Sequence, residues 1–413
     1  QPTRLVTLMH TWQAIVRSIL ESIAATGAAI RVVDRRFDGD AMLREAARRS
    51  GQPPEFASEL TATALRTLLR SLEDDADLSA LGALLAKRKL INTIANRLRL
   101  EPLLADDDDT DALHDAVFIA GLPRTGTTLL HRLMAEHEEL ATLRLGEVLE
   151  PFGTDPALGD RRAREVVNAI RALSPDALAV HPMDAELPAE CQHLMEATFV
   201  AAFFVHFDVS GYWQWMAHLG DDELAEACRH YRHLAAVALS QQGTFLSKAP
   251  AHVLYGAALP RTFPGSRVIR THRDPVEAVA SLASLLSAYR RMFSRNVDEH
   301  GLGALALEIF RLGTTRMIEM DDKLAHGRGI DIDYTAFVAR PLETTLSAFE
   351  RIGLDVSGDT ERRVAARLQR ELVHGKVAQS YTLQRFGLSE SMVHEAMADY
   401  RDWLGGKAVL QPA

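Results

Sequence analysis

Gly121-Leu122-Pro123-Arg124-Thr125-Gly126-Thr127-Thr128 is the stretch on which the fold turns. Its glycines have the spacing of a phosphate-binding P-loop, in which backbone N–H groups wrap an anion at a helix N-terminus. Thr127 stands where such a loop carries Lys. That Lys reaches the β/γ-phosphates of a nucleoside triphosphate, and the next Ser/Thr holds Mg²⁺. The loop is therefore expected to hold a terminal 5′-phosphate-like group, without a γ-phosphate and without metal. Ala116-Val117-Phe118-Ile119-Ala120 before it is a short apolar run, as in a buried parallel strand. Leu129, Leu130, Leu133 and Met134 after it recur at helical spacing. Thr127 is expected to cap that helix and to bond an anion through its hydroxyl.

From residue 116 onward strands and helices alternate, which predicts α/β architecture around a parallel sheet. Strands are expected at 116–121, 244–248, 266–271 and 330–334, and helices at about 127–137, 251–261, 275–293 and 341–352. Longer helices at about 160–173, 188–208 and 221–241 are expected beside the sheet. The earlier part, residues 1–110, reads as a helical subdomain ahead of an α/β domain over 111–413. Leu5, Leu8, Trp12, Ile15 and Ile19 give one helix, about 40–49 a second closed by Gly51, and about 57–73 and 77–104 two more.

Hydrophobic residues at 47% and charged residues at 25% are those of a globular protein. A net charge of −10 argues against a nucleic-acid binder, though not against a local basic pocket. Two cysteines, Cys191 and Cys228, exclude a disulfide framework and fit a reducing compartment. No run is long enough to span a bilayer and no basic-then-apolar leader opens the chain, so a cytoplasmic location is expected. The run Asp106–Asp109 with Asp111 lacks the Gly and distal Glu of a calcium loop and reads as a solvated linker.

Three segments together resemble the sulfotransferases that use 3′-phosphoadenosine 5′-phosphosulfate (PAPS). Pro123-Arg124-Thr125-Gly126-Thr127-Thr128-Leu129-Leu130 is similar to the family's 5′-phosphosulfate loop, in the bacterial form with Arg where the phenol-sulfating group has Lys. Ser266 to Pro275, followed by Ser281, resembles its 3′-phosphate motif. Leu246-Ser247-Lys248-Ala249-Pro250 is similar to its Lys-x-Pro segment. The likeness runs from about residue 116 to about 400. It implies a P-loop-containing three-layer fold with a central parallel sheet, and sulfuryl transfer from PAPS to a hydroxyl with release of 3′-phosphoadenosine 5′-phosphate (PAP).

The resemblance also implies roles. Arg124, Thr125, Gly126, Thr127, Thr128 and Leu129 would hold the phosphosulfate, with the Arg124 fork gripping two oxygens. Lys248, where a strand ends, would neutralise the bridging oxygen of the leaving group. Arg273 and Ser281 would grip the 3′-phosphate, the alternative for Arg273 being a pair with Asp274 or Glu277. Arg267, Arg270 and His272 read as strand and surface residues. Three residues compete as the base: Glu147, by analogy with the protein-tyrosine branch; His181, a neutral imidazole near pH 7; and Glu190. Lys376 and Tyr381 lie where the family closes a late loop over the nucleotide. Phe199, Phe203, Phe204, Phe207, Tyr212, Trp213, Trp215 and Met216 form a dense aromatic and apolar group, from which a pocket for a lipophilic alcohol, phenol or lipid is expected. The competing functions are a small-molecule P-loop kinase and a non-catalytic PAP- or lipid-binding protein. Homo-oligomerisation is left open.

Overall fold

The computed structural model describes residues 36–105, 113–153, 155–239, 243–373 and 381–410. Leu5 to Ile19, the acidic run from Asp106 and Lys376 lie outside the described residues.

Five strands form one parallel sheet: β1 (Val117–Ile119), β2 (Leu140–Ala141), β3 (Thr244–Lys248), β4 (Arg267–His272) and β5 (Gly329–Asp333). Their spatial order is β2-β3-β1-β4-β5. Val117 pairs with Leu246 on one side and with Arg267 on the other. The chain thus leaves β1 in opposite directions for its two neighbours, and the carboxyl end of β1 is the point where an open α/β sheet forms its crevice. The P-loop departs from that end.

Alternation along each strand sorts side chains to two faces. Val117, Ile119, Leu246, Ile269 and Ile332 enter one apolar cluster with Leu130, Leu133, Phe337 and Phe349. That face is covered by helices Thr127–Met134, Pro341–Arg351 and Gly358–Val373. Phe118, Phe245 and Val268 point the other way, into a larger cluster. Helices Asp221–Ala238, Pro275–Phe293 and Glu299–Lys323 contribute to it, and so do Leu68, Leu90, Ile94 and Leu98 from the helices before residue 105. The three-layer arrangement follows.

Local signals explain most boundaries. Ser58 and Ser79 accept backbone N–H groups at the starts of Glu59–Asp74 and Ala80–Leu100. Gly51, at φ 72°, closes Gly39–Ser50. Four expectations need correction. β2 is two residues long, too short to leave a periodic signal. The helix expected at 251–261 is a 3₁₀ turn, Pro250–Tyr255, and a short helix, Ala258–Thr262, parted by Gly256 at φ 51°. The helix expected over 188–208 is Gln192–Glu196 and a 3₁₀ turn, Phe203–Val205. There the Tyr212 hydroxyl donates to Phe199 O at 2.6 Å and accepts from Ala201 N at 3.0 Å, satisfying backbone groups that a helix would have paired. Arg270 and His272 are not surface residues. Arg270 is 1% exposed and grips Asp331 through Nε and Nη2, both at 2.8 Å. His272 bridges Asp331 and the Tyr400 hydroxyl, 2.7 Å from each, and so ties helix Ala398–Gly405 to the sheet.

Candidate active site

The P-loop is built by close backbone approach. A Cβ at Gly121 would run into Thr271 Oγ1, so only glycine fits there. Thr125 is buried; its hydroxyl donates to Leu122 O at 2.6 Å and lies 2.6 Å from Thr271 Oγ1, fastening the loop to β4. Gly126, at φ 88°, is the N-cap of helix Thr127–Met134. Thr127 is therefore the first helical residue and not the cap, a correction forced by the left-handed turn at Gly126. Its methyl packs beside Gly121. Leu129 is half-buried on the same helix, against the smaller apolar cluster.

Arg124 Nε donates to Ser281 Oγ at 3.0 Å. Arg273 Nη1 donates to Arg124 O at 3.1 Å, and its guanidinium lies 4.6 Å from the Tyr334 ring centre. Arg273 Nη2 also meets Glu277 at 2.7 Å, so the ion pair considered from sequence is present. Asp274 instead caps helix Pro275–Phe293, accepting from Val276 N at 2.9 Å. The structure thus brings Arg124, Ser281 and Arg273 together at the ends of β1 and β4. Tyr334, at the end of β5, was not singled out from sequence; only its place after a strand could have flagged it.

Lys248 ends β3 and is 1% exposed. Its Nζ donates to Thr128 Oγ1 at 3.1 Å and to Glu190 Oε1. His181 Nε2 lies 3.5 Å from the same Glu190 oxygen. Burial works against the Glu190 carboxylate, but Lys248 and then His181 outweigh it and hold its pKa near 2. Burial pushes Lys248 down, with Glu190 opposing. Burial also lowers His181 to about 4. Cys191 N donates to Lys248 O at 2.8 Å, which fixes the Glu190 loop against the strand end. Both cysteines are free and buried.

Glu147 does a different job in this state. Its Oε2 accepts from Arg144 N at 2.6 Å and so satisfies a backbone donor at the start of helix Leu145–Leu149. Tyr381 packs half-buried against the larger core. The aromatic group is core as well: Phe199, Phe203, Phe204, Phe207, Tyr212, Trp213 and Met216 are all buried, and Trp215 packs against them. Phe204 and Trp213 face one another, with ring centroids 4.7 Å apart.

Among the described residues no group of three or more His, Cys, Asp or Glu is set for a metal ion, and no helix is long and apolar enough to cross a membrane. A model of the sulfotransferase family matches residues 116–358. The fold resembles the sulfotransferase STF1 from Mycobacterium tuberculosis H37Rv, with TM-score 0.72 and 24% identity over 87% of this chain and 98% of that one. It also resembles the sulfotransferase STF9 from Mycobacterium avium, with TM-score 0.77 and 20% identity over 91% and 97%. No curated protein matches the chain.

Proposed function

Because the chain belongs to the sulfotransferase family, we propose that it moves a sulfuryl group from PAPS to a hydroxyl of a small-molecule acceptor, releasing PAP. The observation that carries this reading is Lys248. Its ammonium stands between Thr128, on the loop helix, and the Glu190 carboxylate. One cation thereby touches both the loop helix that we assign to the 5′-phosphate and a carboxylate.

The donor set fits the nucleotide. Arg124, Lys248 and Arg273 are three cations at the carboxyl ends of β1, β3 and β4 in a chain whose net charge is −10. PAPS supplies an activated sulfuryl group on a phosphate that leaves with the bridging electron pair. Arg124 and the loop N–H groups orient the 5′ end, and Arg273 with Ser281 takes the 3′-phosphate. Lys248 neutralises charge building on the bridging oxygen. Glu190 receives the acceptor's proton as the acceptor oxygen bonds to sulfur and the bond from sulfur to the bridging oxygen breaks. Its low pKa is not an obstacle. When Lys248 turns to the bridging oxygen, the chief cause lowering that pKa is withdrawn and Glu190 becomes the stronger base. His181 stays beside it as a positioning residue.

Calorimetric titration with PAP, and separately with ATP plus Mg²⁺, tests the reading. Metal-independent PAP binding is expected, retained in Lys248→Ala while sulfuryl transfer from PAPS falls about 10²–10³-fold. Binding of ATP with Mg²⁺ but not PAP would return the chain to the P-loop kinases. PAP binding with no transfer to any acceptor would make it a sensor.

A further inference from the structure

The helix that follows the P-loop carries two polar side chains on one face. Thr128 and Arg132 stand four residues apart on Thr127–Met134, so they lie one turn from each other. Thr128 meets Lys248 Nζ at 3.1 Å. Arg132 is 7% exposed, and its guanidinium reaches two other segments. Nη1 donates at 2.8 Å to Glu371 Oε2, near the end of helix Gly358–Val373. Nη2 donates to Pro182 O, also at 2.8 Å.

Pro182 opens a loop over 182–189 whose two ends meet at the reacting groups. His181 precedes it and Glu190 follows it, and His181 Nε2 lies 3.5 Å from Glu190 Oε1. Backbone contacts hold the Glu190 end: Ala189 N donates to Leu143 O at 2.8 Å, Cys191 N donates to Lys248 O at 2.8 Å, and Pro188 bridges to Arg144. At the other end His181 N donates to Ala177 O at 2.7 Å and closes the short helix Pro175–Val180. Beyond it side chains take over the hold. The Tyr289 hydroxyl meets Met183 Sδ at 3.6 Å, a weak contact, whereas the bond from Arg132 to Pro182 O is charge-assisted.

Transfer needs the acceptor oxygen, the sulfur and the bridging oxygen on one line. The loop helix sets the donor side of that line through Thr128 and Lys248, and the 182–189 loop sets the acceptor side through Glu190. A misplacement of about 1 Å can cost about 10²-fold in rate. A buried side chain rooted on the first element and bonded to the second fixes the spacing between them. Glu371 balances its charge and engages its other terminal nitrogen. We propose that Arg132 is a positioning residue for the transfer step, registering the loop that carries His181 and Glu190 against the helix that carries Thr128. This rests on the sulfotransferase reading above.

The test uses the full chain. Arg132→Lys keeps a cation beside Glu371, but one ammonium cannot reproduce a planar fork on two partners. Arg132→Met fills similar space and removes both bonds. Melting curves report the fold of each variant, and PAP affinity should stay within about twofold of the unaltered chain. Turnover of PAPS to PAP, with water and with 4-nitrophenol as acceptors, should fall about tenfold to a hundredfold in both variants. The His181 ring-proton NMR signal, assigned with His181→Gln, reads the loop without any acceptor. Burial lowers this imidazole to about 4, and a loop released from Arg132 should let it titrate at least about one pH unit higher. An unmoved His181 titration, a turnover that falls no further than PAP affinity does, or a lower melting temperature as the sole change would overturn the assignment. Failure of the unaltered chain to bind PAP would instead sink the transferase reading, while the His181 signal would still tell whether Arg132 holds the loop.

Discussion

Arg124 Nε donates to Ser281 Oγ across 3.0 Å, joining residues 157 positions apart in the chain. The bond runs from the P-loop to the second turn of helix Pro275–Phe293. On the other side, Arg273 holds the Arg124 carbonyl at 3.1 Å. Arg124 sits at φ 68°, a left-handed backbone that costs a residue with a β-carbon about 1–2 kcal/mol. The two hydrogen bonds stabilise that conformation and link the proposed 5′- and 3′-phosphate grips into one unit. The Ser281 bond takes Nε alone, and a guanidinium carries four further N–H donors.

Arg124→Lys is therefore not conservative. It keeps the charge but loses the Nε bond and the planar fork. PAP affinity should fall about tenfold to a hundredfold, corresponding to the 1.5–3 kcal/mol typical of a charged hydrogen bond. Ser281→Ala, which removes only the alignment partner and one hydroxyl, should cost less. Calorimetry on both variants decides it; PAP affinity in Arg124→Lys equal to that of the unaltered chain would show that the fork grips nothing.

The loop, four of the five strands and the helix over 275–293 were legible because each has a local cause: glycine spacing, short apolar runs, and Asp274-Pro275 as cap and first turn. Lys248 and Arg273 were legible as strand-end cations. The partnership of Lys248, Glu190 and His181 was not, because it joins three segments through side chains with no shared periodicity. Glu147 drew attention by its position after the loop, whereas its carboxylate caps its own helix. The aromatic group packs as core, and sequence alone does not separate core from pocket lining, because large apolar side chains concentrate in both. Arg270 and His272 looked like exposed strand residues because their partner Asp331 lies on β5, about sixty residues away.

Two carboxylates can be separated by one pair of variants. Glu190→Gln removes the proposed proton acceptor, so kcat should fall about 10²–10⁴-fold while PAP affinity changes little. Glu147→Gln weakens the single hydrogen bond to Arg144 N, so its cost should appear as about 0.5–1.5 kcal/mol of stability, with kcat nearly intact. Thermal melts and initial rates on both variants give the answer. The reverse pattern, with kcat lost in Glu147→Gln and kept in Glu190→Gln, would move the base to Glu147.

Acid should destabilise the fold through its buried histidines. Burial lowers His131 to about 3 and His252 to about 3, and lowers His181 to about 4. An unfolded histidine titrates near 6.5. Between these values the unfolded chain binds protons that the folded chain refuses, so stability rises with pH across that window. It is fully present above about pH 6.5 and is lost as pH falls toward 4 for His181 and toward 3 for His131 and His252, at up to about 1.4 kcal/mol per pH unit for each. Both ring nitrogens of His131 are buried without hydrogen-bond partners among the described residues, which makes this residue the cleanest probe. Replacing it by Leu keeps the packing and removes the titration, so His131→Leu should melt no lower than the unaltered chain at pH 5.5 and show a shallower loss between pH 7 and pH 5. Denaturant midpoints measured at half-unit steps give the slope directly. An unchanged slope in His131→Leu would mean that its imidazole takes up a proton in the folded protein, and the burial argument for this residue would fail.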